Sequence, residues 1–393
     1  MQTYNEIKKK LTDTFIRVFQ EGDEPGLYFA PGRVNLIGDH TDYNGGHVLP
    51  CALTIGTYGM VRKRQDRALR FYSLNFEKKG VFISSLEDLT PCPEADWTNY
   101  PKGVIWAFEQ RGMKVPFGMD ILLYGTIPNG SGLSSSASVE VLTGFFLRDL
   151  FGFDVSNSDI ARLGQYAENN YNGMNCGIMD QFVIAMGKKG HALFLNTSDM
   201  AYEYVPVSES NKFVIACSNI RRELNDSAYN ERRAECETAL SELQQVIGIE
   251  TLGDLTKETF DIYQAAIGDE TRRKRARHAV YENQRTIEAA ERLKAGDADA
   301  FGRLMNDSHD SLSEDFEVTG EKMDILAGAA RAQEGVFGSR ITGGGFGGCT
   351  VSLVDAARVE DFCKNVGQEY LEKTGIQADF HVVEIGDGPV KLS

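Results

Sequence analysis

Hydrogen-bonding side chains are concentrated in one short stretch near the N-terminus. Residues 32–46 read GRVNLIGDHTDYNGG and place one arginine, two aspartates, one histidine and two asparagines among glycines. The segment GLYFA just before them has the composition of a strand. Carboxylates, amides and an imidazole can together accept and donate several hydrogen bonds. The stretch therefore indicates a strongly polar site at the end of a strand.

A second stretch joins glycines to consecutive serines. Residues 127–141 read IPNGSGLSSSASVEV, follow the strand-like MDILLYG and precede a run with helical spacing of apolar residues. Strand, glycine loop and helix N-terminus form an anion site, because backbone N–H groups converge there and the helix dipole favours negative charge. A helix capped by Ser134 to Ser136 explains the serines about equally well. The loop lacks the lysine of a Walker A motif and the third glycine of a dinucleotide fingerprint.

Three further features are weak when each is taken alone. TGGGFGG at residues 342–348 has the spacing G-x-G-x-x-G, but the strand-like CTVSLV follows it, so the dinucleotide context fails. Asp180 lies at the predicted start of a helix, where an acidic side chain commonly stabilises the helix by interacting with the positive end of its dipole. Glu168 is by default a surface carboxylate, and a structural ion pair explains Arg33 equally well. Chemistry is indicated only if the fold brings these groups together.

The elements that position these groups fit two domains. The 393 residues exceed what one core usually supports, and 42% hydrophobic with 25% charged residues is the composition of a folded globular protein. Strand-like and helix-like segments alternate in the first half, helical patterns dominate the middle, and strands return in CTVSLV and ADFHVVEI. We predict domains at residues 1–200 and 201–393, divided after the strand-like HALFLN.

Charge and cysteine content disfavour several classes of partner. The net charge of -16 opposes nonspecific binding to nucleic acid or anionic lipid, and RRKRAR at 272–277 is interpreted as a solvated helix face. No run is apolar enough for a membrane span, and Ile7, Leu11, Phe15 and Val18 trace one face of an N-terminal helix. Seven cysteines without a C-x-x-C pair favour reduced thiols. We expect a cytoplasmic monomer without nucleic-acid or membrane partners.

The three stretches together resemble, in order and spacing, the signature motifs of the GHMP small-molecule kinase superfamily. PGRVNLIGDHTDYNGG is similar to the galactokinase signature and not to those of mevalonate, homoserine or phosphomevalonate kinases. Further matches are DWTNYPKG, GMNCGIMDQF, AYNERRAECE and RARHAVYENQR, so the resemblance spans nearly the whole chain. It implies an α+β fold with an N-terminal domain of the ribosomal-protein-S5 type and a ferredoxin-like C-terminal domain, with a cleft between them.

The resemblance also implies roles for individual residues. Asp180 faces the anomeric hydroxyl of the sugar with Arg33 beside it, and these two are the expected catalytic residues. The residues expected to bind the sugar are Arg33, Asp39, His40, Asp42, Gly177, Asp180 and Tyr229. Those expected to bind the nucleotide are Gly130, Ser131, Gly132, Leu133, Ser134, Ser135, Ser136, Ala137, Trp97 and Tyr100. Ser135 and Glu168 are the expected Mg²⁺ ligands.

By this resemblance the expected reaction is ATP-dependent phosphorylation of the C1 hydroxyl of D-galactose to galactose 1-phosphate. The expected partners are galactose, ATP and Mg²⁺. Two alternatives are a kinase for N-acetylgalactosamine and a regulatory sensor that binds galactose and ATP. One position departs from the family pattern, because Asp39 stands where galactokinases usually have glutamate. Its carboxylate is expected to lie roughly 1.5 Å further from the sugar's 6-hydroxyl.

Overall fold

The computed structural model describes residues 3–128, 131–220 and 225–393. The strands in these ranges are β1 (Gly26–Asn35), β2 (His47–Val48), β3 (Pro50–Lys63), β4 (Ala68–Ser73), β5 (Phe82–Ser85), β6 (Met119–Gly125), β7 (His191–Asn196), β8 (Tyr202–Pro206), β9 (Asn211–Cys217), β10 (Val336–Thr342), β11 (Cys349–Asp355), β12 (Asp379–Val383) and β13 (Val390–Lys391). The α-helices are α1 (Tyr4–Phe19), α2 (Asn99–Gln110), α3 (Ser135–Phe151), α4 (Asn157–Ala167), α5 (Met179–Met186), α6 (Asn225–Leu243), α7 (Lys257–Tyr263), α8 (Glu270–Lys294), α9 (Ala298–Glu314), α10 (Glu321–Arg331) and α11 (Val359–Thr374).

The first lobe is built on a six-stranded sheet in the order β13-β1-β3-β6-β4-β5. Its neighbouring strands are antiparallel except for β4 and β6, which are parallel. The register of β1 against β3 shifts between Pro31 and Arg33. Such an irregularity bends the strand and redirects its side chains. The end of β1 that carries Arg33 therefore departs from the regular sheet.

Helices α3 and α5 pack against strands β1 and β3 of this lobe, and α2 and α4 pack mainly on the neighbouring helices. The packing follows from the apolar side chains of the sheet and of the helix faces, which share one core. The core includes Phe71 and Ile121 from strands and Phe108, Phe146 and Phe182 from helices. The beginnings of α3 and α5 are thereby fixed next to the end of β1.

The second lobe is built on a four-stranded antiparallel sheet in the order β10-β11-β9-β12. Its core joins Val214 and Ile341 from strands to side chains of the long helix α8 and of α11, including Val280, Phe362 and Tyr370. The glycine segment 343–348 connects β10 to β11 at one end of this sheet.

The two lobes share a third apolar core. It combines Val34 and Leu36, from the end of β1 and just after it, with Ile215 of β9 and Val351 of β11. Strand β13 also returns to pair with β1. The polar stretch that follows β1 therefore lies where the lobes meet. The domain boundary at residue 200 stays a prediction.

Two expectations about helices can be compared with the structure. Helix α1 begins with a capping box at Thr3. It buries Ile7, Leu11 and Phe15, as predicted, whereas Val18 of the predicted face is only partly buried. The interpretation of RRKRAR as a solvated face is wrong for Arg275, which is buried in α8 and pairs with Glu235 and Glu317. Carboxylates from α6 and from the segment after α9 compensate its charge. In the part of the chain that the structure describes, no helix combines the length and apolarity required to cross a bilayer.

Candidate active site

A bidentate ion pair between Arg33 and Asp180 lies at the centre of the site. Arg33 is almost fully buried and lies in β1 just beyond the register shift, and Asp180 lies in the first turn of α5. The Arg33 Nε donates to Asp180 Oδ1 and one Nη donates to Oδ2, both at 2.7 Å. The other Nη donates to the carbonyl oxygen of Gly132 at 2.6 Å. One guanidinium thus joins β1, α5 and the serine loop, as the predicted neighbourhood of Arg33 and Asp180 requires.

Ser134 does not cap helix α3 with its side chain. Its backbone adopts a left-handed conformation with φ of 59°, and no side-chain capping hydrogen bond forms at this helix end. The hydroxyl donates instead to Asp180 Oδ2. Of the two interpretations of the serine loop, capping by Ser134 is therefore wrong. The first N–H groups of α3 lack partners inside the helix, as in every α-helix.

The other residues of the serine loop have different surroundings. The Ser131 hydroxyl is buried without a hydrogen-bond partner in the described structure. Leu133 and Ala137 are buried in the cores of the molecule, so their side chains anchor the loop. Ser135 is exposed. Gly130 was also predicted to bind the nucleotide, but it lies outside the described residues.

His40 presents a nitrogen atom without a partner. Its ring packs on Phe316 with centroids 4.6 Å apart, and Nδ1 lies 2.8 Å from the Tyr43 hydroxyl. Nε2 is buried and has no hydrogen-bond partner in the described structure. Burial lowers the pKa of His40 to about 3, and the nearby His278 acts in the same direction. The imidazole is therefore neutral near pH 7 and one of its nitrogens remains for a ligand hydroxyl.

Asp42 is held close to a glycine that leaves space for it. A Cβ atom on Gly177 would lie 1.9 Å from Asp42 Oδ2, so only glycine fits there without displacing the carboxylate. Burial raises the pKa of Asp42 to about 6, and the charge of Asp180 adds to this shift. Tyr229 of α6 lies beside these groups, with its ring centroid 5.5 Å from that of His40.

The carboxylate of Asp39 accepts hydrogen bonds from side chains of both lobes. Asn35 Nδ2 donates to Oδ1 at 2.7 Å, and the fully buried Arg340 of β10 donates to Oδ2 at 2.5 Å. Burial raises the pKa of Asp39, while Arg340 and Asn35 oppose that rise. Arg340 also donates to Ser308 Oγ at 3.1 Å. The sequence predicted Asp39 as a sugar ligand but gave no signal for its partner on the second lobe.

Glu168 forms a carboxyl cluster with a second glutamate. It lies in a π-helical turn, Glu168–Asn172, directly after α4. The Gln181 amide donates to Glu168 at 2.6 Å and to Glu140 at 2.9 Å. Burial raises the pKa of Glu140 well above its ordinary value, and the neighbouring Glu168 adds to that shift. Burial also raises the pKa of Glu168, and the charge of Asp180 acts in the same direction. The nearby Ser136 opposes the rise in the pKa of Glu168.

These groups border one cavity of about 280 Å³ between the lobes. Every sequence-predicted site residue in the described ranges except three lines it: Arg33, Asp39, His40, Asp42, Ser131, Gly132, Leu133, Ser134, Ser135, Ser136, Glu168, Gly177, Asp180 and Tyr229. The three that do not are Ala137, Trp97 and Tyr100. Trp97 packs edge-to-face on Phe71 beside the first core. A nucleotide role for Trp97 and Tyr100 stays a prediction.

The cavity has a further wall that the predicted set omitted. Gly343, Gly344, Gly345 and Phe346 line it from the second lobe. Gly345 has a φ of 82°, and a Cβ atom there would lie 2.6 Å from Val318, so glycine is required at this position. The sequence showed a glycine loop of close approach, but it did not show what the loop approaches.

Comparison with known proteins gives this geometry a family. Residues 13–63 match the family described as the galactokinase galactose-binding signature, and residues 99–188 and 287–373 match the GHMP kinases N terminal domain and the GHMP kinases C terminal. A galactokinase of Ligilactobacillus salivarius is 53% identical over 382 residues, which cover 97% of this chain and 98% of that protein. The chain belongs to the galactokinase family. The resemblance carried by the three motifs is therefore confirmed.

Solved structures of galactokinase and of a more distant kinase support the fold. The structure of Lactococcus lactis galactokinase complexed with galactose matches with a TM-score of 0.96 and 46% identity, over 98% of this chain and 100% of that one. Methanococcus jannaschii mevalonate kinase matches with a TM-score of 0.64 at 18% identity, which supports the fold alone. The predicted α+β, two-domain GHMP kinase fold of this galactokinase-family chain is confirmed.

Proposed function

We propose that the protein transfers the γ-phosphoryl group of ATP to the C1 hydroxyl of D-galactose and releases galactose 1-phosphate and ADP. The main observation that supports this proposal is that one cavity is lined by the Arg33–Asp180 pair, the serine loop and the polar residues after β1. A polyhydroxylated ring requires several acceptors and donors, which Asp42, the unpartnered His40 Nε2 and Tyr229 supply. Asp39 contributes an oxygen that Arg340 already holds.

Asp180 acts in this proposal mainly by orientation. Both of its oxygens accept hydrogen bonds from Arg33, and Oδ2 also accepts one from Ser134. A carboxylate bound in this way is a fixed acceptor for the hydroxyl that attacks the phosphorus. Phosphoryl transfer through a loose transition state depends on positioning and charge stabilisation more than on early proton removal. Asp180 therefore takes the proton late, and Arg33 stabilises charge on the transferred group.

The phosphate groups of ATP fit the serine loop and the facing glycine wall. The buried Ser131 hydroxyl has no partner in the described structure, and the first N–H groups of α3 favour an anion. Gly343 to Gly345 leave room on the opposite side because they carry no side chains. These features support the predicted roles of Ser131, Gly132 and Ser134 near the phosphates.

Mg²⁺ fits a site made by one carboxylate, one hydroxyl and oxygens of the nucleotide. When bound, the ion neutralises charge on the phosphates, and Mg²⁺ commonly keeps few protein ligands. Among the described residues, no group of three or more His, Cys, Asp or Glu side chains is arranged to hold a metal. Glu168 remains the proposed carboxylate ligand. Ser136 is near enough to Glu168 to lower the pKa of that carboxyl, whereas Ser135 is exposed, and this favours Ser136 over the sequence-predicted Ser135 as the hydroxyl ligand.

A coupled assay of ADP release tests the proposed reaction. Galactose, glucose, N-acetylgalactosamine and mevalonate are compared with and without Mg²⁺, and the product is located by phosphorus NMR. We expect turnover with galactose and Mg²⁺ and phosphate at C1. Faster turnover of N-acetylgalactosamine would assign the other sugar kinase activity, and binding of galactose and ATP without turnover would assign a sensor.

A serine pair tests the metal ligand. We expect Ser136→Ala to raise the Mg²⁺ concentration needed for half-maximal rate by about tenfold or more, the usual range for disturbed metal sites. Ser135→Ala is the matched control and should change it little. Mn²⁺ binding in the presence of ADP, followed by electron paramagnetic resonance, reports metal affinity without turnover. The reverse ranking would restore Ser135 as the ligand.

A further inference from the structure

Two cysteine side chains face each other at the base of the glycine wall. Cys217 ends β9 and Cys349 begins β11, and the two residues are direct partners in the antiparallel ladder. The Ser218 N–H donates to the carbonyl oxygen of Gly348 at 2.9 Å, so this hydrogen bond flanks the pair. Cys217 and Cys349 therefore occupy a non-hydrogen-bonded position, where Cα atoms lie about 4.5 Å apart. That separation is within the range of disulfide bonds.

The sulfur atoms are already in contact as thiols. Cys349 Sγ lies 2.7 Å from Cys217 Sγ, and both residues are buried. The hydrogen bond from Cys349 lowers the pKa of Cys217, and the nearby His381 of β12 acts in the same direction. Two other buried thiols, Cys51 and Cys236, have the opposite behaviour, since burial raises the pKa of each to about 12. Thiolate character, on which nucleophilic reactivity depends, is thus concentrated at Cys217.

The cysteine pair is coupled to the cavity through the backbone. Cys349 directly follows the glycine segment 343–348, whose first residues line the cavity. The Ser218 hydroxyl donates to Gly348 O at 2.8 Å, beside the bond from its N–H. A covalent link between β9 and β11 at this position would restrain the end of the glycine segment.

We propose that Cys217 and Cys349 form a redox modification site, a dithiol that hydrogen peroxide converts to a disulfide at the base of the glycine segment 343–348. The Cys217 thiolate attacks one peroxide oxygen, the O–O bond breaks, and the leaving hydroxide takes a proton to become water. The resulting sulfenic acid is attacked by the Cys349 sulfur, the S–S bond forms, the S–O bond breaks, and the departing oxygen leaves as a second water. In sum, two thiols and one peroxide give one disulfide and two waters.

Peptide mapping of the whole purified protein after graded peroxide treatment tests this proposal. We expect a cross-linked peptide pair containing Cys217 and Cys349, lighter by two hydrogens than the separate thiol peptides and restored by dithiothreitol. It should form before Cys51 or Cys236 is modified. Hydrogen exchange of the amides at 343–348 should slow severalfold in the oxidised protein. Oxidation of Cys217 to sulfinic acid without a cross-link, or cross-links to other cysteines, would overturn the proposal.

Variants separate the roles of the groups. Cys349→Ala should leave Cys217 to form a sulfenic acid that dimedone traps, and Cys51→Ala is the matched buried control that keeps the disulfide. His381→Asn should slow disulfide formation severalfold without changing the product, because it removes a nearby imidazole that favours the thiolate of Cys217. An unchanged rate in His381→Asn would remove His381 from the mechanism. The wild-type peptide map remains decisive if a cysteine variant fails to fold.

Discussion

At the scale of single residues, the central feature is a carboxylate fixed from two sides. Arg33 holds Asp180 through two hydrogen bonds of 2.7 Å, and Ser134 adds a third. The geometry leaves little freedom for the carboxylate to rotate. Asp180 is therefore suited to hold one hydroxyl in one direction, which is where its contribution to rate is expected.

Replacing the Asp180 carboxylate with an amide tests this role. We expect Asp180→Asn to lower kcat by about a hundredfold to ten-thousandfold, because the acceptor for the proton is lost. Galactose binding, measured by calorimetry, should remain detectable because the other polar groups persist. The exposed Asp154→Asn is the control. A near-normal kcat in Asp180→Asn would contradict both the orienting role and a general-base role.

Asp42 predicts a pH dependence of sugar binding. Its pKa of about 6 means that acid protonates it in the folded protein and weakens it as an acceptor. We expect KM for galactose to rise below pH 6 by up to about tenfold per pH unit, and to stay flatter in Asp42→Asn. Steady-state kinetics between about pH 5 and about pH 8, a range that spans this pKa, measure KM for both proteins.

The same group has a consequence of opposite sign for stability. The folded-state pKa of Asp42 lies above its ordinary value of 3.8, so the folded protein binds the proton more tightly than the unfolded chain does. As pH falls through about 6, this residue alone therefore adds to the free energy of unfolding. Urea unfolding should show that the free energies of unfolding of wild type and of Asp42→Asn approach each other as pH falls. A difference that widens on acidification would contradict the assigned shift.

The variant Asp39→Glu tests how the shorter aspartate side chain affects sugar binding and stability. We expect Asp39→Glu to lower KM for galactose severalfold, because the longer side chain extends toward the expected 6-hydroxyl. It should also cost roughly 1 kcal/mol or more of stability, since an extra methylene must fit beside Asn35 and Arg340. KM is compared for galactose and 6-deoxygalactose. Equal KM ratios in both enzymes would remove the proposed link between Asp39 and C6.

At the scale of elements, the turn before α5 shapes the cavity in which we propose that the sugar binds. Gly177 lies in this turn, against the carboxylate of Asp42, which follows β1. The beginning of α5 then delivers Asp180 to Arg33. Two segments far apart in sequence are thus matched in shape, and one absent side chain makes the match possible.

Gly177→Ala tests that match. The new Cβ atom would overlap Asp42 Oδ2, so the carboxylate must move away from its present position. We expect KM for galactose to rise by on the order of tenfold or more, since small misplacements in a site are costly. Gly248→Ala, where a Cβ atom meets open space, is the matched control. Unchanged KM in Gly177→Ala would show that Asp42 is not required in its present position.

At the scale of the whole molecule, a buried ion pair joins the two lobes under the cavity. Arg340 of β10 donates to the carboxylate of Asp39, which lies in the segment after β1. It also donates to the carbonyl oxygens of Asn35 and Leu36 at 3.3 Å. The sugar-binding stretch of one lobe is therefore fixed by a side chain of the other. Its position depends on correct docking of the lobes.

Loss of this ion pair should destabilise the protein. We expect Arg340→Met to cost roughly 3 to 5 kcal/mol, because it leaves the Asp39 carboxylate buried without its charged partner. Removing both charges, with Asp39→Asn added, should recover part of that loss. Urea unfolding measures the stability of the single and the double variant. Arg358→Met, which breaks an exposed pair with Glu334, is the control and should cost at most about 1 kcal/mol. Wild-type stability in Arg340→Met would contradict the role of the pair.

The sequence by itself determined the local parts of this protein. The strand-like GLYFA and MDILLYG lie in β1 and β6, and the apolar face of α1 was read from its spacing, because these features depend on neighbours close in the chain. The order and spacing of the three motifs carried the resemblance to the family. The polar residues after β1 and the serine loop, to which the resemblance gives a joint role, line one cavity. Their individual roles stay predictions.

Only the tertiary structure decided which distant groups meet. Arg340 and Asp39 are 301 residues apart, and no local pattern distinguishes this buried arginine from an exposed one. The direction of the Ser134 hydroxyl, the contact of Ser136 with Glu168 and the glycine wall at 343–346 likewise depend on how the lobes and helices pack. Burial and pairing are properties of the packed molecule, whereas periodicity and turn chemistry are properties of the chain.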